Sequence, residues 1–550
     1  MVLYQEQKNV EHLGSEGYRL AITEQRVFGA VQAEGTELVQ LFHWLAHNRV
    51  QEKFGKNSAS GKDIGAVVRV ASRLACTDAR GMASLGILLL RPKLVNPTFV
   101  NLFPDDGMVF DRIQKGEVMK LKLFTLPAIV IVALLLATMH SHNRQLSVET
   151  PGTPVTPATA SAVLDEWGNL FVVLGNNVRE NSLRTQVRIA IAQLAMFDAV
   201  NAVLDGPYRP FTSKPASPPG ASPEAAAIGA AYTVALREFK SQTLTIELAY
   251  AQSIAALTGA GDQAIADGVE VGRNAANAVL DARQNDGRNE ENELLGYTPG
   301  SGLGVWIPTP SGSVNPQTPF LQFVTPFGYD EPSRFRPGPP PALDSRTYTD
   351  DYNELKAFGP FTGSSRTADQ SQTAQFWSPS ASALWIANIR SLASGMDLLT
   401  AARFEAIGIA AVDNALIACW DAKYTYMFWR PVTAIRAGDD DGNPETQGDA
   451  TWTPFIVTPS HPEYPAAHTT VGAAVLGFYT VWFDRDDFAL SFQGQNRVVR
   501  NYSSVNEIHA EEGNARVWGG MHFRNSTVVG TAVGSKVGKY TATHLLKPLD

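Results

Sequence analysis

Lys423-Tyr-Thr-Tyr-Met-Phe-Trp-Arg430-Pro431 closes a long run of helix-forming residues, and two related stretches follow it. They are Pro462-Glu-Tyr-Pro-Ala-Ala-His468 and Arg516-Val-Trp-Gly-Gly-Met-His522. The first reads as the end of a helix over 399–429 that stops at Pro431. Two helical turns separate Lys423 from Arg430, so both cations return to nearly one azimuth and form a two-pronged anion clamp. Pro465 suits the first turn of a new helix, whose free amides beside His468 make an anion site. Arg516 and His522 bracket Gly519-Gly520, a break that lets a guanidinium and an imidazole reach one point. Three cations, a helix start and two histidines amount to a site for a tetrahedral oxyanion.

A single Lys/Arg pair or histidine is usually a solvated face or a structural contact. The ordered set K-x6-R-P, P-x-x-H, R-x5-H is far more specific. It resembles the shared site of the vanadium-dependent haloperoxidases and the type 2 phosphatidic-acid phosphatases. The flanking residues from Ala411 to Lys423 and from Arg430 to Arg436 resemble the bacterial haloperoxidase-like branch, with similarity from about Leu164 to the C-terminus.

The resemblance implies that vanadate is the cofactor, with phosphate as an alternative occupant. Lys423, Arg430, Arg516 and the backbone at Ala466 and Ala467 would hold it, with His522 as the metal ligand and His468 as the acid-base. Trp420 and His461 fall where the halide pocket lies, and a histidine at the second position implies bromide rather than chloride. The implied reaction oxidises halide with hydrogen peroxide to hypohalous acid, with an organic acceptor left open. Two alternatives remain. A phosphatase would use His522 as nucleophile, but its pattern carries an Asp four residues later, where this chain has Ser526. A catalytically weakened anion-binding homologue is suggested by Ala466, where the family carries Ser, because a lost bond to a charged group costs ~1.5–3 kcal/mol.

Outward from these motifs, apolar residues at helical spacing predict helices over 182–204, 224–239, 243–257, 263–283, 349–358 and 382–394. The fold class is therefore all-α, one or more helical bundles of the vanadium haloperoxidase and acid phosphatase type, with long Pro/Gly-rich loops. Tyr297 to Leu343 is such a loop, with Trp306 and Phe335 as anchors. Gly530, Gly534 and Gly538 make a smooth helix face for close packing.

Four segments are expected: an extension over 1–118 that a start at Met119 would remove, a signal peptide or membrane anchor over 119–139, a Pro/Thr linker over 140–162, and a helical domain over 163–550 with the oxyanion site in 420–526. Two lysines ahead of a short apolar run favour export, with a single-pass anchor as the alternative. The membrane is then a partner only through an uncleaved 119–139, and a homo-oligomer is compatible with the sequence.

The chain has 550 residues with 44% hydrophobic and 18% charged composition, which suits a globular protein. A formal charge of -9 argues against nucleic acid as a partner. With two cysteines in the chain, and Cys419 alone in the C-terminal region, no disulfide framework is expected there. Asp439-Asp-Asp-Gly-Asn443 lacks the ligand spacing of a calcium loop and reads as a polar turn. Glu507, His509 and Glu511 alternate like strand ligands, but Glu511 and Glu512 are better read as braces for Arg516. Gly55 to Asp63 departs from a phosphate-binding loop in spacing and in its last residue.

Overall fold

The computed structural model describes residues 161–549 except 181, 290–291, 294–296, 310–314 and 495–497. In chain order the helices are α1 (Ala162–Asn177), α2 (Ser182–Val203), α3 (Pro223–Glu238), α4 (Thr243–Ala256) and α5 (Asp262–Ala282). After the long loop come α6 (Arg346–Phe358), α7 (Ala368–Phe376), α8 (Ala381–Ala393), α9 (Leu398–Tyr426), α10 (Pro431–Arg436) and α11 (Ala467–Phe483). A hairpin of β1 (Leu490–Gln493) and β2 (Val499–Tyr502) precedes α12 (Val505–Trp518) and α13 (Arg524–His544). Short oxygen side chains start several of these helices by accepting a first-turn amide: Ser222 for α3, Ser345 for α6, Asp397 for α9 and Ser504 for α12.

The architecture is the expected all-α one, with the antiparallel hairpin added in the register Leu490↔Tyr502 to Gln493↔Val499. Helix α9 is its axis, packing on α2 along one side and on α11 and α13 along another. Buried residues run round its whole circumference, from Ala401 and Phe404 to Ala418 and Cys419, as expected of a helix enclosed by others. The predicted glycine face is the seam between α11 and α13. A Cβ on Gly534 would overlap the carbonyl oxygen of Thr470, and one on Gly538 would overlap that of Ala474, so the two backbones meet where no side chain fits.

Other expectations change. The helix predicted to run to Trp429 ends at Tyr426, because Met427 takes a left-handed conformation with φ 50°. Arg430 is extended, as the residue before a proline prefers, and Pro431 opens α10 instead of ending the earlier helix. Pro465 lies ahead of α11, whose N-cap is Ala466, rather than in its first turn. The loop from Tyr297 is anchored as expected. Trp306 is fully buried and donates its amide to the Met427 carbonyl at 2.6 Å, while Phe335 packs edge-on against Tyr329 and Tyr540. Arg336 from the same loop holds Asp421 through two bonds of 2.6 Å.

Among the described residues no helix is long and apolar enough to cross a membrane. The segments 1–118 and 119–139, and nearly all of the linker, lie outside the described residues.

Candidate active site

Helix α9 delivers Lys423 to the interior, and its ammonium donates to the carbonyls of Pro462, Glu463 and Pro465 at 2.9, 2.7 and 2.7 Å. All three of its protons are thus used to close the turn that leads into α11. Burial pushes its pKa down to about 7, and the cations Arg430 and Arg516 press in the same direction. Lys423 therefore acts on the site as a charge beneath the turn.

The reversal at Met427 brings Arg430 back over that turn. Its Nε donates to the His461 carbonyl at 2.8 Å and its Nη1 to the Met521 carbonyl at 3.1 Å. Nη1 also lies 3.4 Å from His522 Nε2, and Nη2 lies 3.0 Å from His461 Nδ1. Arg430 is fully buried, and burial lowers its pKa to about 10. The clamp predicted on one helix face is therefore assembled from a helix and the extended segment after it.

Arg516 projects from the last turn of α12. Its Nη1 donates to the Trp377 carbonyl at 2.9 Å, while the buried Nε meets no acceptor among the described residues. Burial brings this guanidinium too to about 10. The expected braces behave otherwise. Glu511 binds Trp377 Nε1, Tyr502 and Arg500, and Glu512 faces Trp385 Nε1, leaving only its charge to act on Arg516. Beyond Arg516 the chain turns at Gly520, which has φ 75° and approaches Gly359 and Pro454 too closely for a Cβ. That turn returns His522 to the site.

At the start of α11, the Ala466 amide donates to the Ser526 carbonyl at 3.0 Å and its side chain offers no cap. The amides of Ala467 and His468 meet no protein acceptor among the described residues. His468 Nε2 lies 2.8 Å from the Pro379 carbonyl, so that nitrogen carries the proton and Nδ1 is bare. Burial, then Arg516, holds this imidazole well below its usual pKa. Trp420 and His461 pair with ring centroids 4.9 Å apart, and the indole leans on the Gln317 carbonyl at 3.4 Å. His461 thus stands against Arg430, with Trp420 packed behind it and near Lys423.

One residue was missed. Glu463 is fully buried, and its Oε1 accepts from His522 Nδ1 at 2.9 Å and from the Phe523 amide at 3.0 Å. Its Oε2 accepts from Ser526 at 2.6 Å. Burial raises this carboxyl to about 7. A glutamate between prolines carries no periodic signal, and its partners lie about sixty residues away.

The donor set suits an oxyanion. Lys423, Arg430 and Arg516 are buried without a carboxylate in salt-bridge contact among the described residues, and such charges are costly unless an anion joins them. The unpaired Arg516 Nε and the two free amides are the hydrogen-bond donors such an anion needs. Among the described residues no cluster of His, Cys, Asp or Glu is placed to hold a bare cation.

Residues 403–550 match the family model described as the VCPO second helical-bundle domain. Vanadium chloroperoxidase from Curvularia inaequalis is 28% identical over 171 residues, 22% of this chain and 27% of that protein. The match thus spans about a quarter of the curated relative's length. Among solved structures, the first bacterial vanadium-dependent iodoperoxidase aligns with a TM-score of 0.61 and 21% identity, covering 72% of this chain and all of that one. An apo-type bacterial vanadium-dependent chloroperoxidase aligns with a TM-score of 0.51 and 19% identity, covering 65% and 93%. These likenesses establish a shared fold.

Proposed function

We propose, from homology to the vanadium haloperoxidases at the family or superfamily level, that the chain is an exported vanadate-dependent enzyme oxidising halide with hydrogen peroxide. The observation that carries the reading is the buried trio Lys423, Arg430 and Arg516, which has no carboxylate in salt-bridge contact among the described residues and whose charges all act on His468 at the start of α11. Vanadate bound there supplies Lewis-acid activation of peroxide without changing its own oxidation state. Arg516 and the Ala467 and His468 amides would hold its oxygens, with Arg430 and Lys423 contributing charge, and His522 Nε2 is the nitrogen offered to the metal.

His468 has a bare Nδ1 and would take the peroxide proton there. A bound anion offsets the positive field that now depresses its basicity, moving it toward the range where proton transfer is efficient. Trp420 and His461 would line the halide pocket, with bromide favoured over chloride. Export rests on the lysine-led apolar run over 119–139.

Phosphate monoester hydrolysis through the same oxyanion site is the second reading. It gains from the carboxylate at His522 Nδ1, which Glu463 provides in place of an Asp at position 526.

The test is monochlorodimedone bromination with peroxide, with and without orthovanadate. Bromination should require vanadate, fall to background in His522→Ala, and fall by about 10²–10³ in Arg516→Ala, as for loss of an oxyanion donor. Hydrolysis of p-nitrophenyl phosphate without any vanadate-dependent bromination would replace this reading with the second.

A further inference from the structure

We infer that Glu463 is a positioning residue for His522, fixing its tautomer and rotation so that Nε2 presents a lone pair to the oxyanion site. The inference rests on the reading of that site given above and names the part that organises it. Glu463 Oε1 already accepts the Phe523 amide, and in the ionised carboxylate it can only accept, so the 2.9 Å contact with His522 places the imidazole proton on Nδ1. Nε2 is then bare, in agreement with the guanidinium N–H of Arg430 on that side at 3.4 Å. An ionised partner behind a ligating imidazole raises its donor strength, as carboxylates do behind zinc-bound histidines.

Glu463 joins all three motifs through its side chain and its backbone. Its carboxylate takes the Phe523 amide and the Ser526 hydroxyl from the third, and its carbonyl takes the ammonium of Lys423 from the first. Its amide donates to Phe428 at 2.9 Å, just ahead of Arg430. Ser526, four residues after His522, reaches the imidazole only through this carboxylate. The orienting carboxylate has thus moved from the third motif to the second, with Ser526 anchoring its far oxygen.

The test is nitrogen NMR of histidine-labelled protein, with His522→Asn to assign the resonance, beside calorimetric titration with orthovanadate. The wild-type chain should show His522 protonated at Nδ1 and bare at Nε2 without vanadate. Glu463→Ala should abolish that preference, and Glu463→Ala/Ser526→Asp should restore it by returning a carboxylate to the third motif. Near-isosteric Glu463→Gln keeps an acceptor but removes the charge, so it should melt like the wild type and bind vanadate about 10–100-fold more weakly. Wild-type His522 protonated at Nε2, or vanadate affinity unchanged in Glu463→Gln, overturns the assignment. Should wild-type protein show the expected tautomer yet bind no vanadate, the haloperoxidase reading fails while the role of Glu463 stands.

Discussion

Glu405 lies fully buried in α9, where Gln193 Nε2 donates to its Oε2 at 3.2 Å and its Oε1 has no donor among the described residues. Burial, reinforced by the charge of Asp165, raises this carboxyl from 4.5 to about 8. Between those values the fold holds a proton that the unfolded chain has released, so stability falls as pH rises. The slope is up to about 1.4 kcal/mol per pH unit. Glu405→Gln removes that ionisation and keeps an acceptor for Gln193. Its melting temperature should equal that of the wild type near pH 4.5 and exceed it increasingly up to pH 8, whereas a constant offset would show that Glu405 does not titrate with folding. Residues of this kind were illegible in the sequence, because burial of a single carboxyl depends on helices remote in the chain. Lys423, Arg430, Arg516, His468 and His522 were legible because their order and spacing are unusual together. Glu463 was not, since it acts on His522 through a contact that only the fold creates.

Helix limits were readable where local chemistry sets them. The predicted 263–283 and 382–394 lie within a residue of α5 and α8 at both ends, since apolar periodicity is a property of neighbouring residues. The end of α9 was not readable. Tyr-Thr-Tyr-Met-Phe-Trp contains no glycine, and the left-handed Met427 is held by tertiary bonds, including the Trp306 amide on its carbonyl and the Trp429 amide on Gly304. The α11–α13 seam is an element whose sequence signal, three glycines at intervals of four, was read correctly. It also gives a test with opposing signs. Helix propensity alone predicts that Gly538→Ala stabilises α13 by about 1 kcal/mol. Here the added methyl meets the Ala474 carbonyl, a rigid backbone atom, so the substitution should destabilise by ~1–3 kcal/mol in chemical denaturation. Because α11 begins with Ala467 and His468, spreading the seam should also lower activity. A more stable Gly538→Ala would mean the helices pack less closely than described.

At the scale of the whole molecule, the candidate site couples to global stability because the fold must bury three cations that have no carboxylate in salt-bridge contact among the described residues. An oxyanion that binds only the folded chain stabilises it by mass action, about 2.7 kcal/mol at a hundredfold excess over Kd. Sulfate is the suitable probe, because its charge is constant from pH 5 to 9 and any pH trend then belongs to the protein. Lys423 and Glu463 set that trend together, because one loses positive charge and the other gains negative charge through the same range. The folded pKa of Lys423, about 7, lies below the unfolded 10.5, so from about pH 7 upward the ligand-free fold sheds a proton the unfolded chain keeps. This group's contribution to the stability of the ligand-free fold therefore grows with rising pH in this window, while anion binding must draw the proton back and so weakens. Arg430 and Arg516, near 10, stay charged throughout. The rise in melting temperature from sulfate over chloride at equal ionic strength should be largest near pH 6, shrink through pH 7–8, and be smaller at every pH in Arg516→Gln. An increment equal at pH 6 and pH 9 would separate Lys423 and Glu463 from the anion. An increment unchanged in Arg516→Gln would place sulfate binding elsewhere on the molecule.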